Sequence, residues 1–164
     1  MSIEDFNALP TQEVDRQLAG CLPVPRWVAT VRDGRPYADW PAVEEVAASA
    51  AAHLDDDELA TALAGHPRIG ERATSPEHQA AFSAQEQAGV DPADAQAARE
   101  LAAGNAAYEE RFDRVFLIRA AGRSAPDILA ELRRRLDNDD DAERAETVTA
   151  LREIALLRLR QVVS

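Results

Sequence analysis

Across 164 residues the chain carries 30 acidic against 18 basic side chains, a formal net charge of −12, with 46% hydrophobic but only 5% aromatic residues. That length and apolar content fit one domain, spanning 1–164, with a real core. The acidity argues against nucleic acid or an anionic membrane surface as a partner.

A single cysteine, Cys21, excludes an internal disulfide and a cysteine-based zinc site. No apolar run approaches the ~18 residues of a membrane span. "MSIEDFNALP" has neither the basic nor the apolar region of a secretory signal, and "RQVVS" is not a peroxisomal tripeptide. The expectation is a soluble, cytoplasmic protein.

In chain order, nearly every segment reads as helix. "TQEVDRQLAGCL" follows Pro10, with Thr11 as N-cap. "PVPRWVATVRDGRPYADW" reads as the one long irregular stretch: its Pro and Gly argue for loop, and its aromatics argue that the loop packs down. "PAVEEVAASAAAHL" starts with Pro41 at the first helical position. "DDDELATALAG" has an acidic start and Gly65 as stop. "SPEHQAAFSAQEQAG" opens on Ser75 and Pro76 and stops at Gly89, and "DPADAQAARELAAGNAAYEERF" repeats the pattern from Asp91. "VFLIRAAG" is a short apolar run, either a buried extended segment or the end of the preceding helix. "SAPDILAELRRRL" begins with a near capping box, Ser124 and Asp127. "LDNDDDAE" reads as a solvated turn leading into the last helix. The fold class is therefore all-α, a helical bundle of roughly seven or eight helices, with no internal repeat.

Three features carry chemistry. "AGHPRIGER" places His66 just beyond a helix stop and just before Pro67, in neither element. It caps the helix end, where a cation is favoured, or it acts as a general acid or base, since imidazole titrates near neutral pH. Gln79, Ser83, Glu86 and Gln87 share one helical face beside Phe82, either exposed or forming a pocket floor. Arg158 falls inside the apolar stripe Leu151, Ile154, Ala155, Leu159 and Val162. It snorkels at the stripe's edge, or it is a buried cation aimed at a ligand carboxylate. The three histidines, His53, His66 and His78, show no diagnostic metal spacing, and no phosphate-binding glycine motif occurs.

Taken together, "FNALP" at Phe6, "PRWVATVRDGRPYAD" from Pro25, "GHPRIGE" from Gly65, "SAQEQAGV" from Ser83, "NAAYEERFDRVFLI" from Asn105, "ILAELRRRLDND" from Ile128 and "EIALLRLRQVV" from Glu153 resemble one family. It is 2-oxo-4-hydroxy-4-carboxy-5-ureidoimidazoline (OHCU) decarboxylase, which makes allantoin in urate degradation. The resemblance implies an all-helical, usually dimeric enzyme, a homodimer here, with no metal and no organic cofactor. It implies His66 as the catalytic histidine and Glu86 as its partner. Pro67, Ser83 and Gln87 would line the substrate site, the backbone of Phe116, Leu117 and Ile118 would contact the ligand, and Arg158 would grip its polar end. Two positions depart from the family pattern: Asp113 stands where Gly is usual, and Arg119 where a small residue is common. Asp113 bears on the local backbone, because Gly tolerates positive φ more easily than Asp. Two other readings remain open on the residues alone: a non-catalytic helical interaction module, and a metal-assisted ureide hydrolase.

Overall fold

Helices of 6 to 23 residues account for most of the described residues. The computed structural model describes residues 1–70 and 95–164. Among these it holds eight α-helices and no strand: α1 (Ile3–Ala8), α2 (Thr11–Cys21), α3 (Pro25–Asp33), α4 (Trp40–Ala51), α5 (Asp56–Ala64), α6 (Ala95–Phe112), α7 (Ala125–Leu136) and α8 (Asp140–Val162). The helix read over Ser75–Gly89 and the Asp91–Pro92 start lie outside the described residues.

The chain divides into two compact units, residues 1–64 with 151–164, and residues 65–150. In the first, α3 packs against α2 and α4. Here the irregular stretch expected from "PVPRWVATVRDGRPYADW" is corrected: its first half, Pro25–Asp33, is α3. Pro25 sits in the first turn, where a missing N–H costs nothing. Trp27, Val28 and Val31 then fall on one buried face, and Trp27 Nε1 donates to Ala47 O at 2.9 Å. Tertiary burial overrode the Pro and Gly signal.

The rest of that stretch is loop, and it does pack down. Asn7 Nδ2 donates to Tyr37 O and Tyr37 N–H donates to Asn7 Oδ1, both at 2.8 Å. The Tyr37 hydroxyl donates to Val31 O at 2.7 Å.

Caps shift some boundaries by a residue. Thr11 is the first residue of α2 and Pro10 its N-cap. Asp39 caps α4, its side chain accepting from Ala42 N–H. Asp55 and Glu58 exchange side-chain and backbone hydrogen bonds at the start of α5 (2.8 and 3.1 Å). The Ser124–Asp127 capping box at α7 is complete.

In the second unit α6 packs on α7. Their shared core contains Leu101, Tyr108, Phe112, Ile128, Leu129 and Leu132. "VFLIRAAG" resolves as a buried non-helical segment, with Phe116, Leu117 and Ile118 at 0%, 4% and 6% exposure.

Candidate active site

His66 stands two residues beyond the last residue of α5 and is half-buried. Pro67 restricts the residue before it to extended backbone, so the imidazole can leave the turn in only a narrow range of directions. Three residues on, Ile69 is buried. Its carbonyl accepts from Asn105 Nδ2 at 3.1 Å. Arg68 meets Glu109 with two donors, at 2.5 and 2.9 Å.

The Phe116–Ile118 segment follows α6 through Asp113, whose φ is +53°. Asp113 N–H closes the helix end onto Glu109 O at 2.9 Å. The left-handed backbone suited to glycine is therefore kept here by an aspartate. Ile69, Phe116 and Ile118 belong to one buried cluster, so the His66 turn and this segment are set against the same core.

Beneath the segment lies a buried polar network. Arg135, 2% exposed, donates through Nη1 to Leu117 O at 2.7 Å. Its Cζ lies 5.1 Å from the centre of the Phe116 ring. Glu143, fully buried, accepts from Arg135 Nε at 2.9 and 3.1 Å and from Nη2. It also accepts from the Tyr108 hydroxyl and from Asn138 Nδ2, the latter at 3.0 Å. Thr147 Oγ1 accepts from Arg135 Nη2 at 3.2 Å.

A buried ion pair is tolerable only when its remaining donors and acceptors are filled, and here both partners are shared among several groups. Burial, and next the bond to Glu143, push the Tyr108 hydroxyl up to about 12. The chemical result is a Leu117 carbonyl that is already engaged, and a segment held in one conformation for whatever it meets.

Arg158 lies in α8 with Leu151, Ile154, Ala155 and Leu159 buried around it in the helix sequence. It is itself 2% exposed, so it does not snorkel at an open edge. Its Nη1 approaches Gly20 O at 3.5 Å. Arg158 belongs to the first unit, while His66, Pro67 and Phe116–Ile118 belong to the second. Glu86, Ser83 and Gln87, with Gln79 and Phe82, lie outside the described residues. Among the described residues no group of three or more His, Cys, Asp or Glu is placed to hold a metal ion.

Asn105, Arg135 and Glu143 went unread in the sequence. Arg135 was findable, because it continues the stripe Ile128, Leu132 at i+7 and i+3. Glu143 was hidden in an acidic run read as solvated. The buried positions Glu143, Thr147 and Ala150 mark the inward stripe only in hindsight.

Comparison with known proteins completes the picture. The family model described as OHCU decarboxylase matches residues 7–160. A curated relative, the uric acid degradation bifunctional protein of Bacillus sp. (strain TB-90), is 22% identical over 165 residues. The match takes in 99% of this chain but 32% of that protein, so the chain spans about a third of the relative's length. Among solved structures, an OHCU decarboxylase crystallised in the presence of (S)-allantoin superposes with a TM-score of 0.73 at 21% identity, covering 90% of this chain and 96% of the other. An (S)-allantoin synthase gives a TM-score of 0.73 at 15% identity, covering 99% and 54%. At these identities the likeness is one of fold.

Proposed function

This chain belongs to the OHCU decarboxylase family, and on that premise we propose that it is a cofactor-free carboxy-lyase converting OHCU to (S)-allantoin and CO₂ in urate degradation. The observation that carries the reading is His66: a half-buried imidazole set in a stiff His-Pro turn, in a chain matched by the family model over 7–160.

The substrate is a small ring bearing a carboxylate, a hydroxyl and a ureido arm. The bond to the carboxylate carbon breaks and CO₂ leaves. Its electron pair passes into the conjugated ring, so no pyridoxal or thiamine sink is needed. The hydroxyl gives up its proton to become a carbonyl, and the ring carbon bearing the ureido arm takes one up. The ring nitrogen that receives the electron pair takes up a second from solvent, so the carboxylate substrate ends as neutral product. His66, oriented by Glu86, handles the hydroxyl and ring-carbon protons. Delivery from one face only makes the product chiral.

Ser83, Gln87, Pro67 and the backbone of Phe116, Leu117 and Ile118 fix the ring and arm in one pose. Arg158, with its planar fork, anchors the polar end and stabilises developing negative charge. The buried Arg135–Glu143 pair supports this reading by holding the Leu117 peptide in place. The same reading makes the protein one cytoplasmic OHCU decarboxylase-like domain acting as a homodimer, a state that sedimentation velocity reads directly.

The test is His66→Asn. Loss of the general acid–base contribution lowers kcat by about 10²–10⁴ in a protein whose circular dichroism and melting are unchanged. Wild-type turnover from that variant refutes the assignment.

A further inference from the structure

The turn that carries His66 is laid along one stripe of α6. Leu101, Asn105 and Glu109 are spaced by four and so occupy one face of that helix. Gly70, Ile69 and Arg68 meet them in reverse order. A Cβ on Gly70, whose φ is +93°, would come within 3.0 Å of Leu101 Cδ2. Ile69 O receives Asn105 Nδ2 at 3.1 Å, and Arg68 meets Glu109.

These three grips differ in kind. The Arg68–Glu109 fork has side chains 47% and 25% exposed, and such surface pairs contribute little. Leu101 against Gly70 sets spacing without direction. Asn105 and Ile69 are both 4% exposed, so their hydrogen bond is the one directional tether in a dry place among these three. From the Ile69 carbonyl back to His66 the chain is stiff, because Pro67 fixes its own φ and restricts His66.

The amide at 105 is also half-satisfied. Among the described residues its Oδ1 is buried without a donor, a desolvation cost carried beside the one bond its Nδ2 gives to the Ile69 carbonyl, which a leucine would leave orphaned.

We propose that Asn105 is a positioning residue for His66, holding the Ile69 carbonyl so that the imidazole stands at one place relative to the Phe116–Ile118 segment. The inference rests on the decarboxylase reading for its kinetic consequence, but its structural core can be tested without substrate. The chain has three histidines, so the His66 imidazole resonance can be assigned by its disappearance in His66→Asn.

In Asn105→Leu, and in Asn105→Asp, which keeps the shape but not the donor, the His66 resonance shifts and broadens while that of His53 stays. With substrate, kcat falls about 10- to 100-fold, and KM changes by less than about threefold. A folded variant of either kind with a wild-type His66 resonance overturns the proposal, as does an unchanged kcat beside a shifted resonance. If wild-type protein shows no turnover, the decarboxylase reading fails by itself. The resonance then still decides whether Asn105 sets the His66 turn.

Discussion

Tyr108 and Asp113 carry the most testable chemistry of single residues. The chain has two tyrosines. Burial raises the Tyr37 hydroxyl, and burial with the Glu143 bond takes Tyr108 to about 12. A folded pKa above the unfolded one means that the folded state keeps its proton longer. The associated stability is fully present below the unfolded value of about 10. It is lost as pH rises from there through the folded value. Tyrosinate absorbance in the native protein should therefore rise later than in free tyrosine, with Tyr108 last, and Tyr108→Phe should remove the later step. A native titration at the free-tyrosine value would contradict the burial argument. At Asp113, φ of +53° is a backbone that glycine adopts without its Cβ being crowded. Asp113→Gly should raise stability by up to about 1 kcal/mol, read as a higher Tm. A lower Tm would mean that the carboxylate contributes locally more than the strain costs.

Three helices and a loop meet at the Arg135–Glu143 pair: α6 through Tyr108, α7 through Arg135, α8 through Glu143 and Thr147, and the apolar segment through Leu117. Removing one partner leaves a buried charge uncompensated, which costs about 3–5 kcal/mol. Arg135→Met should show that loss in urea unfolding. Adding Glu143→Gln should recover part of it, since the stranded charge goes too. A double-variant loss equal to the sum of the Arg135→Met and Glu143→Gln losses would mean that the pair is uncoupled. By contrast, Arg134 bridges Glu131 and Glu146 at the surface, where such pairs are worth about 0–1 kcal/mol. The helices themselves were largely legible, because Ser124 with Asp127, the acidic start of α5 and the stop at Gly65 mark ends by local chemistry. α3 was not, because its helical evidence is the buried face of Trp27, Val28 and Val31, which competes with Pro and Gly on either side. The Arg135–Glu143 pair hid for a similar reason: charge reads as surface until packing says otherwise.

At the scale of the whole chain, membership of the OHCU decarboxylase family rests on a match over 7–160. The site was legible unevenly. His66 and Arg158 stood out by position alone, one past a helix stop and one inside an apolar stripe. The roles proposed for Pro67 and Phe116–Ile118 came only with the family resemblance, because nothing in a proline or an apolar run marks a ligand. Asn105 gave no signal, since an asparagine within a helix is ordinary until a carbonyl 36 residues away is found against it. The most direct test of the central claim is to generate OHCU in the cuvette from urate with urate oxidase and 5-hydroxyisourate hydrolase, add this protein, and follow circular dichroism. Rapid appearance of optically active (S)-allantoin, lost in His66→Asn, is the predicted result. Racemic allantoin forming at the spontaneous rate in the presence of folded protein would contradict the account.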